Sequence, residues 1–484
     1  MCFENVRRNG GIYLDKKYDK IAFEFESAWE NITPEVQKEI FLFAEKYKEF
    51  LNHGKTEREC IKQIIQRAKE KGYQNIQDII KDGGPLSPGT KIYANNRGKS
   101  AALFVIGKEP IEKGMHIVGT HVDAPRLDLK PFPLYQDGEL AFLKTHYYGG
   151  IKKYQWTTIP LALHGFIINK EGKTIEISIG ESEEEPVFYI TDLLPHLAEK
   201  QYQKNLKEGI TGEELNVLVG SIPYREKDIK NPIKYNILQL LHAKYGIEEK
   251  DFLTAEIEVV PAGKARDIGF DKGLIGAYGQ DDRVCSYSAL MAIFDVEEPN
   301  KTVAAFFVDK EEIGSVGNTS MQSRFFENVI AELIAIQSEL FHYLKVQRSL
   351  TSSKVLSGDV GAAFDPNFPE VFDQRNTAFS GKGVLICKYT GARGKSETND
   401  ANAEFLAEIR KIFEENHICW QIGELGKVDA GGGGTIAYIF GNYGADVVDC
   451  GTPVLSMHAP MEVVSKVDLY MTYKAYQAFF NASK

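Results

Sequence analysis

No stretch of the 484 residues approaches the roughly 18 consecutive apolar residues of a membrane-spanning helix, and the opening Met1-Cys2-Phe3-Glu4-Asn5 lacks the apolar core of a signal peptide. A membrane is therefore not an expected partner. Paired cysteines are missing as well: the six, at 2, 60, 285, 387, 419 and 450, include no C-x-x-C. This excludes a cysteine-built zinc site and points to free thiols in a reducing, cytoplasmic compartment. The chain also has no basic excess, with 57 Lys and Arg against 68 Asp and Glu and a formal net charge of −11. Neither nucleic acid nor an anionic lipid surface is expected to bind it. There is no G-x-G-x-x-G behind a strand pattern and no repeat of roughly 20–50 residues, which argues against a dinucleotide site and a solenoid. What is present is 43% hydrophobic and 26% charged sequence, an ordinary globular balance long enough for roughly two or three domains.

Thr33-Pro34 opens a helical pattern that carries Val36, Ile40, Phe43, Ala44 and Tyr47 before Gly54 stops it. Thr56 and Glu59 form a capping-box pattern for a second helix ending near Gly72. Strand patterns follow at 91–94 and 100–106, and another runs up to His121. From about 127 to 264 the texture changes to alternating, antiparallel-type strands with one helix near 235–245 and an acidic run at 181–185 expected to be a solvated loop. His146, His164 and His196 in this region have no partner at a ligand spacing and are expected to be structural. The α/β texture resumes at 273, with a helix over 284–294 and strands expected at 302–308, 331–336, 354–357, 447–449 and 454–458. The glycines at 431–434 suggest a loop that lets backbone approach a ligand ahead of a helix.

The chemistry collects where apolar runs end. The run at 302–308 breaks into Asp309-Lys310-Glu311-Glu312, two adjacent acids that a strand end can give different tasks: one binds a metal while its neighbour takes a proton from an attacking water. His121-Val122-Asp123 suits a metal ligand followed by a carboxylate that orients it. Asp281 and Asp282 precede a helix, where they can hold a cation with Arg283 balancing charge, or simply cap the helix. Asp359 and His458 close two further short runs. In an open parallel sheet such residues converge at the carboxyl ends of the strands. Two imidazoles and three carboxylates suit two zinc-like cations sharing one carboxylate, with Glu311 left over as a proton shuttle. A water between such cations has its pKa lowered from about 15.7 towards about 7.

These stretches resemble the M18 family of metallo-aminopeptidases, the aspartyl-aminopeptidase group. The resemblance rests on Gly119-Thr120-His121-Val122-Asp123-Ala124-Pro125-Arg126-Leu127, Gln280-Asp281-Asp282-Arg283, Asp309-Lys310-Glu311-Glu312-Ile313-Gly314-Ser315, Ser357-Gly358-Asp359 and Ser456-Met457-His458-Ala459-Pro460, and it covers nearly the whole chain. It implies Asp281 as a carboxylate bridging two divalent ions, zinc with cobalt or manganese as alternatives. His121 and Asp359 would complete one site, and Glu312 and His458 the other. Glu311 is implied as general base and then acid, with Asp123 orienting His121 and a metal-activated hydroxide as the attacking group.

The implied fold is α/β, a mixed and mostly parallel sheet flanked by helices in the manner of zinc exopeptidases, interrupted by a β-rich dimerisation domain. This places a first catalytic part at 1–126, the insertion at 127–264 and a second catalytic part at 265–484. Dimers and dodecameric shells are the implied assemblies, and peptides with acidic N-terminal residues the implied substrates.

Two positions depart from the family pattern. Asp359-Val360-Gly361-Ala362-Ala363-Phe364-Asp365-Pro366-Asn367 lacks the histidines many members carry there. Gly149-Gly150-Ile151-Lys152-Lys153 offers Lys153 where many members place a histidine that reaches the partner subunit. Lys153 and Lys388 are the candidate contacts for an acidic side chain, and the preference for such residues stays open. A carboxypeptidase or amide hydrolase with the same metal cage, and a metal-stabilised shell without turnover, are the alternatives to an aminopeptidase.

Overall fold

A computed structural model describes residues 21–482 except positions 22, 31, 393 and 397. Cys2 and the opening residues read above lie outside it. The central sheet runs in the order Gln74–Asn75, Lys91–Asn96, Ser100–Val105, Val303–Val308, His116–His121, Lys354–Ser357, Asp446–Gly451, Val384–Cys387 and Trp420–Ile422. Its middle is parallel: Val303–Val308, His116–His121, Lys354–Ser357 and Asp446–Gly451 pair in one direction, and antiparallel pairings lie outside them. A parallel sheet is covered on both faces, and Val303–Val308 shows why its sequence is continuously apolar. Val303, Ala305 and Phe307 enter one core while Ala304, Phe306 and Val308 enter the other. Side-chain alternation along the strand produces this division.

Helices Pro34–His53, Glu57–Glu70, Gln280–Phe294, Ala403–Glu415 and Lys466–Asn481 cover the first face, contributing Tyr47, Ile61, Leu290, Phe413 and Phe479. Phe325–Gln337, Tyr343–Thr351 and Ala437–Asn442 cover the second with Phe326, Ile330, Leu350 and Phe440. The first two helices begin where their caps predict. Thr33 accepts from the Val36 N–H with Pro34 at the first turn, and Thr56 and Glu59 form both halves of a capping box.

The expected strand at 331–336 is instead part of the helix Phe325–Gln337. Its buried residues Phe326, Val329, Ile330, Leu333 and Ile334 recur at helical spacing. The apolar tail of the segment, taken without that longer period, cannot be told from a buried strand.

Between Arg126 and Pro261 the chain builds a separate antiparallel sheet, ordered Thr174–Ile179, Leu161–Ile168, Ala255–Pro261, Arg126–Asp137, Leu140–Tyr148 and Val217–Gly220, around its own apolar core. The helix expected near 235–245 is Pro232–Tyr245, and two short helices, Glu199–Tyr202 and Leu206–Gly209, precede it. The strand that leaves the main body and the one that returns are neighbours, with Leu127 opposite Val259. A third sheet is built from Arg266–Ile268, Leu274–Ala277, Glu462–Ser465, Pro453–Leu455 and Gly361–Ala362, with Asp281 just after its second strand and His458 between Pro453–Leu455 and Glu462–Ser465. No described helix is long and apolar enough to cross a membrane.

Candidate metal centre

Register sets the first part of the site. Val308 pairs with His121 and Ser357 with Gly119, so His121 stands at the end of the central strand between the exits that lead to Glu311-Glu312 and to Asp359. The two glutamates begin a short turn of 3-10 helix, Glu311–Ile313, entered through Lys310 at φ 68°. Lys310 is held there by Asp309 at 2.6 Å.

The other two groups come from the third sheet. Asp281 follows the strand Leu274–Ala277, and His458 sits in the turn between Pro453–Leu455 and Glu462–Ser465, three residues beyond the strand expected to end on it. The sequence argument brought all five to one parallel sheet; the structure divides them between two sheets that meet. Glu462 joins the pair. Buried, it accepts the Asp281 N–H at 3.1 Å on one oxygen and the His458 N–H at 2.7 Å on the other.

The five predicted ligands converge. His121, Glu311 and Glu312 present ligand atoms within 4.8 Å of one another; so do two groups without Glu311, His121 with Asp281 and Asp359, and Asp281 with Glu312 and His458. Asp281 belongs to both groups: its Oδ1 lies 3.3 Å from His121 Nε2 and its Oδ2 3.1 Å from His458 Nε2. Asp359 Oδ1 is 3.8 Å from His121 Nε2, and Glu312 Oε2 is 3.5 Å from His458 Nε2. Asp281 makes no side-chain cap to its helix, so capping is not its role here. Three atoms of these residues, His121 Nε2, Asp281 Oδ1 and Glu312 Oε1, are buried without a hydrogen-bond partner. Orphaned buried polar atoms are costly, and a set of nitrogen and oxygen atoms aimed at one point fits a divalent cation.

Burial alone would lower the pKa of both histidines, but their carboxylate neighbours outweigh it. His121 is raised well above its ordinary value by Asp123, Asp281 and Asp359, and His458 to about 11, chiefly by Asp281 and Glu312. The same negative field would hold a cation between them. Glu312 is pushed well up by burial and by Asp281. Glu311, 3.9 Å from His121 Nε2, is pushed up to about 8 by burial, opposed by His121 and reinforced by Asp359, Asp123 and Asp281.

Asp123 does not enter either group. Its carboxylate oxygens accept the N–H groups of Glu311 and Glu312, each at 3.2 Å, and the Tyr148 hydroxyl at 2.8 Å, while His121 Nδ1 hydrogen-bonds the Asp123 main-chain carbonyl at 3.1 Å and lies 3.3 Å from Oδ1. His458 Nδ1 hydrogen-bonds the Gly150 carbonyl at 2.8 Å.

Arg283 does not balance the acids. Its guanidinium donates to the carbonyls of Val122 and Lys55. Lys153 lies with its ammonium 5.9 Å from the Tyr147 ring, and Lys388 pairs with Asp400 at 2.6 Å, lining an apolar groove of about 450 Å³ with Trp420 and Leu406. Neither is in the ligand groups. The glycine run packs on its own chain: a Cβ on Gly431 would lie 1.8 Å from the Leu425 carbonyl, and one on Gly432 2.0 Å from that of Gly391.

Residues 50–480 match a family model described as aminopeptidase I zinc metalloprotease (M18). The chain is 50% identical over 458 residues to a probable M18 family aminopeptidase 1 of Clostridium acetobutylicum, covering 95% of this chain and 98% of the relative. It is similar to the crystal structure of an M18 family aminopeptidase from Thermotoga maritima, with a TM-score of 0.90 and 44% identity over 95% of this chain and 99% of that one. It also resembles that of aminopeptidase I from Clostridium acetobutylicum, with a TM-score of 0.89 and 47% identity over 95% and 100%.

Proposed function

Because the chain belongs to the M18 family of zinc metalloproteases, we propose that it is an aminopeptidase that removes N-terminal residues from peptides at a centre for two divalent ions. The observation that carries this reading is Asp281, whose two oxygens face the two imidazoles. His121, Asp281 and Asp359 would hold one ion, and Asp281, Glu312 and His458 the other. When bound, such ions act as Lewis acids on the scissile carbonyl and acidify a water.

The protein's own groups do the rest. Glu311 is the general base, taking a proton from the attacking water at its carboxylate and returning it to the leaving amine. Its raised pKa suits a group that must both accept and release a proton, and nearby cations would draw that value down. Asp123 holds His121 through Nδ1 and pins the Glu311 and Glu312 amides, so base and ligands keep a fixed relation.

The insertion at 127–264 is proposed as the self-association domain, within the catalytic parts 1–126 and 265–484. Exposed Leu193, Leu194, Leu197, Tyr202 and Leu206 give it an apolar surface to bury in dimers and larger shells. Five free cysteines among the described residues suit a cytoplasmic setting.

A panel of peptides with free and blocked N-termini, assayed with zinc-loaded protein and with Glu311→Gln, tests the reading. The expected result is release from free N-termini only, with the variant retaining its metal and losing activity by at least about a hundredfold. Cleavage of blocked peptides would move the assignment to a carboxypeptidase or amidase. The same panel reads the acidic preference: if Lys153 meets the side chain, Lys153→Ala lowers kcat/KM for N-terminal Asp and Glu relative to neutral residues.

A further inference from the structure

The antiparallel insertion contributes no side chain to either ligand group, yet it touches His458 directly and reaches His121 through Asp123. The contact is made by three consecutive residues at the end of the strand Leu140–Tyr148 and the turn that follows. Resting on the two-ion reading above, we propose that Tyr148-Gly149-Gly150 is a positioning element for both metal sites, with Tyr148 acting on His121 through Asp123 and the Gly150 carbonyl acting on His458.

The Tyr148 hydroxyl donates to Asp123 Oδ2 at 2.8 Å. Asp123 is completely buried, so each donor it receives limits how its carboxylate can turn. The Tyr148 ring is itself fixed, with the Arg126 guanidinium 3.9 Å from its centroid and Arg126 held by Asp128 at 2.8 Å and Glu258 at 3.2 Å. A stationary phenol thus holds the Asp123 carboxylate, which lies 3.3 Å from His121 Nδ1 beside the main-chain carbonyl of the same residue at 3.1 Å.

At the second histidine the partner is a carbonyl, which can only accept. The 2.8 Å contact from Gly150 therefore places the proton of His458 on Nδ1 and leaves Nε2, which faces Asp281 and Glu312, for a metal.

Both contacts require backbone to come close to the ligands. Gly149 has φ 72°, and a Cβ there would lie 3.3 Å from Glu312 Cβ; on Gly150 it would lie 3.3 Å from His458 Nδ1. The glycine pair is the gap through which the insertion reaches the centre.

The two halves of the element act on different imidazoles, which separates a positioning role from a general structural one. Wild-type protein, Tyr148→Phe, Gly150→Ala, the double variant and Tyr147→Phe as a neighbouring control would be stripped of metal and titrated with zinc against a chromogenic chelator to obtain two dissociation constants. Thermal midpoints of the metal-free proteins would be recorded alongside. Tyr148→Phe keeps the ring under Arg126 and loses only the hydroxyl; it should weaken one ion by about tenfold or more, as loss of an orienting partner typically does. Gly150→Ala should weaken the other, the double variant both, and Tyr147→Phe neither, with metal-free midpoints unchanged. Wild type binding fewer than two ions would overturn the two-ion reading itself. If wild type binds two, then unchanged constants in both variants, the same constant altered in both, or equal weakening of both ions with a lowered metal-free midpoint would overturn the positioning role.

Discussion

Asp281 stands 3.3 Å from one imidazole and 3.1 Å from the other, so a single side chain is common to both ligand groups. Asp281→Ala should therefore lose both ions, not one. Metal analysis after gel filtration checks this, and a variant that still holds two would refute the shared carboxylate. The convergence of His121, Asp281, Glu312, Asp359 and His458 was legible because each closes an apolar run or opens a helix, positions that a folded α/β chain brings to sheet ends. Glu462 was not legible. It sits at the head of the run Glu462–Ser465, and its partner Asp281 is 181 residues away, with no spacing that ties them. Tyr148 and the Gly150 carbonyl were hidden for a related reason: a phenol ending a strand and a main-chain oxygen carry no residue-type signature of metal chemistry. The one available signal was the Gly149-Gly150 pair, since adjacent glycines mark a close backbone approach.

At the scale of elements, the insertion is fastened to the first helices by a charged histidine. His164, on the strand Leu161–Ile168, lies between Glu59 of the helix Glu57–Glu70, at 2.8 Å, and Glu181, at 3.1 Å. Burial would lower its pKa, but the two carboxylates raise it from 6.5 to about 9. A group whose folded pKa lies above its unfolded value adds stability that is complete below the unfolded value and lost as pH rises through the folded one. The contribution should thus be full below pH 6.5 and gone above about 9, on the order of 3 kcal/mol at most. Urea unfolding of wild type and His164→Gln at pH 6 and 9.5 reads the difference. The stability gap between them should shrink at the higher pH, and a gap independent of pH would exclude the charged clamp. Glu181 also shows why the acidic run was only partly legible: Glu183 and Glu184 are exposed, while Glu181, which faces a buried histidine, is not. The same limit applied at 331–336, where six apolar-rich residues carried the period of neither element until Phe326 and Val329 were included.

For the molecule as a whole, the α/β texture and its β-rich interruption were legible from the change at about 127 and the return at 273, while the mixed sheet flanked by helices came from the resemblance to the M18 family. The division of the ligands between two sheets was not. The third sheet is assembled from segments between 266 and 465, and pairing over such distances leaves no local pattern. If the exposed leucines of the insertion are buried in self-association, Leu194→Asp with Leu197→Asp should sediment as a smaller species than wild type at equal concentration. Identical sedimentation would place the interface elsewhere.

The entry and exit of the insertion lie side by side, Leu127 opposite Val259. A cassette whose two ends are neighbours can be excised and the gap closed by a short turn without redirecting the rest of the chain. His121, Asp281, Glu312, Asp359 and His458 all lie outside the cassette. The shortened chain would therefore keep every proposed ligand and lose Tyr148, which reaches Asp123, and Gly150, which reaches His458. Grafting and pruning are thus unequal operations in this architecture: topology makes the cassette removable, while the centre it leans on has come to depend on it.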